Sequence, residues 1–89
     1  MKFVWLFSGV GSHFATGAFE RLEDAEGWIS KHRLSGVLTK YPVNFGAYDW
    51  AISEGLFRPK TDEHTSGSFI GRFGCASFEH YHYEEGKRE

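Results

Sequence analysis

The chain has 89 residues, a formal net charge of -2 from ten Lys/Arg against twelve Asp/Glu, and a single cysteine. That length admits one domain, and the basic residues are too scattered to form the cationic face a nucleic-acid backbone requires. No apolar run nears the roughly 20 residues that span a bilayer, and a lone Cys75 excludes an intrachain disulfide framework, which fits a reducing, cytoplasmic setting.

Nine Phe, four Tyr and three Trp exceed what one thin core can hide, so several aromatic side chains are expected on the surface. Residues 2–8 place Phe3, Trp5 and Phe7 on one face of a strand and Val4 and Leu6 on the other. This apolar start is too short and too aromatic for a signal peptide. Gly9-Val10-Gly11-Ser12 predicts a turn, and residues 13–19 a returning strand in which Gly17 marks a bulge or a close approach. The turn joins two strands and lacks the lysine of a phosphate loop. Without a basic rim, the aromatic face reads as core rather than as a base-stacking platform.

Residues 22–34 predict a helix, with Leu22, Ala25, Trp28 or Ile29, and His32 at helical spacing. Acidic residues lie in its first turns and basic ones in its last, matching the helix dipole. Gly27 inside it calls for compensating packing, and Gly36 reads as its stop. Residues 37–43 predict a third strand, ended by Pro42. Residues 44–55 predict a short second helix capped by Asn44 and closed by Gly55, with Phe45, Tyr48 and Ile52 on an inward face. Residues 58–67 read as a loop, and residues 68–73 as either a helical turn or an irregular segment. Residues 78–84 alternate as a final strand.

The order β-β-α-β-α-β predicts an α+β fold, an antiparallel sheet of about four strands with two helices packed on one face. Residues 1–86 would form the single domain, and residues 87–89 a charged tail. An edge strand near the C-terminus offers a surface for pairing with a second copy.

Seven stretches together carry a resemblance: W-L-F, F-A-T-G-A-F, A-E-G-W-I-S-K-H-R-L-S-G, L-T-K-Y-P-V, Y-D-W-A-I-S-E-G-L-F-R-P-K, F-I-G-R-F and H-Y-H-Y-E-E-G. The chain resembles a small bacterial family of single-domain proteins of unknown function, over residues 4–86. Y-D-W-A-I and H-Y-H-Y-E are the most specific pieces. The resemblance implies a compact cytoplasmic bacterial domain and carries over no catalytic residue. Immunity proteins and other small protein inhibitors are an analogy in size and type.

The stretch SFEHYHYEEG holds the sharpest chemical signal. On a strand, His80, His82 and Glu84 share one face and Tyr81 and Tyr83 the other. Two imidazoles at that spacing can bind Zn²⁺, Cu²⁺ or Ni²⁺ if a third ligand such as Glu84, His64 or His13 joins them. No second ligand pair accompanies them, so a structural or partner-facing strand is the better reading. Cys75 lacks a nucleophile signature and reads as a small buried hydrophobe. Asp49 reads as a first-turn carboxylate of the second helix rather than an acid/base group. Trp50 is a candidate interface anchor, although core burial competes. Glu84 and Glu85, with Asp62, Glu63 and Glu79, are candidates for a negative patch toward a basic partner.

The sequence therefore points to a small non-catalytic module that needs no cofactor and binds another protein, with an immunity-type inhibitor of a toxin or other enzyme as the expected role. It gives no expectation of nucleic-acid or membrane binding. Partner contact would fall on Asp49, Trp50, His80, His82, Glu84 and Glu85. The alternative is a metal- or small-ligand-binding domain centred on His80, His82 and Glu84.

Overall fold

The computed structural model describes residues 1–89 apart from Cys75, so both readings of that cysteine lie outside the described residues. The chain forms two compact units, Met1–Val43 with Phe78–Glu89, and Asn44–Ser77.

The first unit carries β1 (Phe3–Gly9), β2 (Gly17–Phe19), α1 (Leu22–Lys31), β3 (Gly36–Pro42), β4 (His80–Glu84) and β5 (Lys87–Arg88). Its strands form one antiparallel sheet in the order β2-β1-β3-β4-β5. The α+β class and the antiparallel sheet match the sequence expectation. The strand number does not, because five strands replace about four. Lys87 and Arg88, expected in a charged tail, pair opposite Glu84 and Tyr83. Glu85 and Gly86 make this return with φ of 51° and 84°, the left-handed pair that a two-residue hairpin turn requires.

Trp5, Phe7, Leu38 and Tyr83 are buried on the sheet face that meets Ala25 and Ile29 of α1, and these six residues form the core. Phe19, Leu22, Trp28, Leu34 and Tyr81 pack around them. Fully burying Phe7, Ile29 and Leu38 contributes roughly 1.5–3 kcal/mol each. Gly17 is the close approach anticipated from the sequence. A Cβ there would stand 2.8 Å from the Phe19 ring and 3.0 Å from the Trp28 ring.

α1 is shorter than the predicted span and stops by another device. Arg33 adopts φ of 54°, the Arg33 amide donates to the Ser30 carbonyl at 3.2 Å, and the Leu34 amide donates to the Ile29 carbonyl at 2.9 Å. This is a Schellman closure with arginine where glycine is usual, and it returns Leu34 to the core beside Ile29. Gly36 is not the stop. It opens β3 where a Cβ would lie 2.2 Å from the Ser8 carbonyl oxygen, so it permits the approach of β1 and β3. Gly27 does not receive the expected packing, since nothing lies within 4 Å of its Cβ position.

The second unit carries α2 (Ala47–Ser53), a 3₁₀ turn (Asp62–Thr65) and α3 (Gly67–Gly71). α2 starts later than predicted, with Gly46 rather than Asn44 at the N-cap position. Its end is as predicted: Gly55 takes φ of 75°, and the Leu56 amide reaches the Ala51 carbonyl at 2.8 Å. The inward face is Tyr48 and Ala51, whereas Phe45 and Ile52 are exposed, which corrects the expected Phe45–Tyr48–Ile52 stripe. A helix beginning at Ala47 leaves Phe45 outside it, and the i,i+3 pair Tyr48/Ala51 then defines the buried side. Of residues 68–73 the first four belong to α3, capped by Ser66, whose hydroxyl accepts the Phe69 amide at 3.1 Å. Aromatic rings build the interior: Phe57 lies 5.0 Å from Phe73 and 5.8 Å from Phe69, and Tyr48 lies 5.5 Å from Phe73. Among the described residues, no helix is long and apolar enough to cross a membrane.

Candidate functional site

The register of β4 decides which side of the H-Y-H-Y strand meets the helix. Gly36 opposes Tyr83 and Leu38 opposes Tyr81, so the tyrosines share the face that α1 covers. His80, opposite Thr39, and His82, opposite Val37, stand on the other face, with Glu84. Their imidazoles are 5.2 Å apart between centroids at 78°. His80 Nδ1 is 2.6 Å from the Phe78 carbonyl oxygen, which only accepts, so Nδ1 donates there and in the neutral ring Nε2 is the nitrogen with the lone pair. Among the described residues, no three His, Cys, Asp or Glu side chains gather to hold a metal ion. His13 is exposed in the middle of the β1–β2 connection, and His64 belongs to the second unit, where its Nδ1 accepts the Lys60 amide at 3.0 Å. Glu85 occupies the exposed β4–β5 turn, and its amide donates to Ser35 Oγ at 3.0 Å.

On the tyrosine side lies a polar network that sequence reasoning missed. The Tyr83 hydroxyl donates to Glu26 Oε2 at 2.5 Å, and Arg88 donates to the same oxygen through Nε at 2.9 Å and also through Nη2. The Arg88 guanidinium sits 3.8 Å above the Tyr81 ring, which stacks on Trp5. Tyr81 in turn donates to Glu79 at 2.7 Å, and Lys40 faces Glu79 at 3.8 Å. Burial pushes the Glu26 carboxyl up, but the hydrogen bonds from Tyr83 and Arg88 and the charge of Arg88 outweigh it and leave it below its ordinary value. Burial, followed by the bond to Glu26, pushes the Tyr83 phenol up to about 12. Neither group is poised to exchange a proton near neutral pH, so this cluster holds β5 against α1 rather than equipping an acid/base site. The only advance sign was Arg88 in a segment read as a tail.

The remaining predicted site residues belong to the second unit. The Asp49 carboxylate folds back over the start of α2, within 2.9 Å of where a Gly46 Cβ would be, as a first-turn carboxylate should. Trp50 is half-buried in the same helix. Asp62 and Glu63 lie in the 3₁₀ turn, while Glu79 is occupied by Lys40 and Tyr81. The six expected contact residues are thus divided: His80, His82, Glu84 and Glu85 in the first unit, Asp49 and Trp50 in the second.

A further feature comes from the β1–β2 connection, which the sequence suggested was mostly strand. β2 is confined to Gly17–Phe19, and the residues before it form an ordered loop. Ser12 Oγ donates to the Phe14 carbonyl at 2.7 Å and accepts the Phe14 amide at 3.2 Å. The Ser12 amide bonds Gly9, and the Thr16 amide returns to Phe7. This bonding holds up two apolar side chains in the open, Val10 at 80% and Phe14 at 79% exposure. Glycines 9 and 11 signalled the turn, but nothing in the local pattern marked Phe14 as outward.

Comparison with curated proteins and with solved structures gives no match. A family model described as a domain of unknown function, DUF7710, matches residues 4–89. The match spans nearly the whole chain, and the protein therefore belongs to the DUF7710 family.

Proposed function

We propose that this chain is a small non-catalytic protein-binding module, and that its finer role is that of a bacterial, cytoplasmic immunity-type inhibitor. The observation that carries the reading is the Ser12-braced loop with Phe14 at 79% exposure. A large apolar ring left in water gives up the free energy of burial, and a partner's pocket would recover it. Because the loop is already bonded in place, docking would lose little conformational entropy. The exposed carboxylates Glu84, Glu85 and Asp49 and the half-buried Trp50 add candidate contacts for a basic partner. Affinity capture from the native host, with wild type and Phe14→Ala side by side, tests this. A protein retained by wild type and lost on the variant is the expected result, and no enrichment above background would count against the reading. A toxin-like reading frame beside the gene would support the inhibitor role, and rescue from that toxin on co-expression would test it.

A second reading has its own observation. His80 anchors Nδ1–H on a backbone carbonyl and leaves Nε2 free next to His82, the orientation that metal-bound histidines commonly adopt. Elemental analysis of protein purified without a polyhistidine tag addresses it, and metal-free protein whose binding survives His80→Ala/His82→Ala would remove its support.

A further inference from the structure

The second unit carries an open groove of 690 Å³, within the range of roughly 300–1,000 Å³ typical of small-ligand sites. Its chemistry is one-sided. Leu56, Phe57 and Pro59 supply an apolar lining, and Arg58, Lys60 and His64 supply the polar groups. No Asp or Glu among the described residues lines it. Among the described residues, four of the ten Lys and Arg side chains pair with carboxylates: Lys2 with Glu20, Arg21 with Glu23 and Asp24, Lys40 with Glu79, and Arg88 with Glu26. Among the described residues, Arg58 and Lys60 have no such partner.

His64 adds a third donor. Its Nδ1 accepts the Lys60 amide at 3.0 Å, so in the neutral ring the proton sits on Nε2. The ring is fixed by Phe57 and Phe69, at 5.4 and 4.9 Å, and its backbone carbonyl is held by the Tyr48 hydroxyl at 2.8 Å. Ile52 and Leu56, 37% and 42% exposed, leave apolar area at the groove open to water.

We propose that this groove is a binding site for a small organic anion with an apolar body, such as an aromatic or aliphatic carboxylate. The anionic end meets Arg58, Lys60 and the His64 N–H, and the apolar body covers Leu56, Phe57 and Pro59. A bare inorganic anion would leave the apolar lining uncovered, and a neutral apolar molecule would leave both cations unmatched. The site shares no residue with the Phe14 loop, so it stands or falls apart from the protein-binding reading.

The test is a titration of the full chain followed by backbone amide NMR, using phenylbutyrate, its neutral amide phenylbutyramide, and inorganic phosphate as the three probes. Phenylbutyrate is expected to shift the amides of residues 55–64 saturably. Loss of the charge in phenylbutyramide should weaken binding about tenfold or more, the effect of one charge-assisted hydrogen bond. Arg58→Gln and Lys60→Gln should each weaken phenylbutyrate by a similar factor. Both residues are exposed, so unchanged unfolding temperatures will show that these variants fold. Arg72→Gln, in an adjoining hollow that shares Leu56 and Phe57 with the groove but not Arg58 or Lys60, should leave binding unchanged. The proposal is overturned if no probe gives saturable shifts, if the amide binds as well as the acid, if phosphate binds as tightly as phenylbutyrate, or if Arg72→Gln weakens binding as much as Arg58→Gln.

Discussion

Because Glu26 accepts hydrogen bonds from both Tyr83 and Arg88, the fold holds its ionised form, and its pKa lies below the ordinary 4.5. A carboxyl depressed in this way contributes stability above its unfolded pKa and loses it as pH falls through the lower folded value. Wild type is therefore expected to unfold at higher temperature than Glu26→Gln at neutral pH, with the difference shrinking once the pH drops well below 4.5. A gap that stays constant across the acid range would show that the charge of Glu26 does not matter. Tyr83 works in the opposite direction. Its phenol is raised from 10.0 to about 12, so its contribution is complete below the unfolded value and fades as pH climbs toward the folded one. Two glycines give opposite expectations at this scale. Gly27→Ala should add about 0.5–1 kcal/mol in urea unfolding, because the methyl meets open space and the helix gains propensity. Gly17→Val should cost about 1–3 kcal/mol, because the Phe19 and Trp28 rings already occupy the space.

Among the elements, helix existence was legible and helix ends were not. The spacing of Leu22, Ala25, Trp28 or Ile29, and His32 announced α1, yet its closure rests on Arg33 in a left-handed conformation, which no composition rule marks. Gly36 drew attention because glycine is the usual stop, while its true role comes from a strand neighbour distant in sequence. Arg33→Gly should stabilise the fold by about 0.5–1 kcal/mol, since glycine takes this conformation without the Cβ clash. Equilibrium unfolding measures it, and a destabilised variant would mean that the arginine side chain contributes more than its backbone strain costs. β5 escaped the sequence because Glu85-Gly86 is not one of the Asn-Gly or Asp-Gly pairs that advertise a tight hairpin. In H-Y-H-Y the two faces were plain from alternation alone. Their orientation was not, because it depends on Tyr83 finding Glu26, 57 residues away.

At the scale of the whole molecule, the chain builds two interiors by different means. The first unit closes a hydrogen-bonded sheet over Phe7, Ile29 and Leu38, while the second gathers Tyr48, Phe57, Phe69 and Phe73 around short helices. Amides of β1 and β3, in the middle of the ladder, are expected to exchange with solvent most slowly, and those of the second unit sooner. Hydrogen exchange followed by NMR checks this, and uniform protection across both units would contradict it. The surplus of aromatic residues in the composition did foretell exposed rings, but Phe14 and Phe45 were found by burial rather than by pattern.

The sheet ends at both rims in very little strand, three residues in β2 and two in β5. An incoming chain that tried to extend the ladder at either rim strand would find few amides and carbonyls to pair with. Strand addition onto β2 or β5 themselves would therefore gain few backbone hydrogen bonds. A partner of the proposed kind that approached these two rim strands would rely on side-chain contacts, which single substitutions can retune without disturbing the sheet beneath.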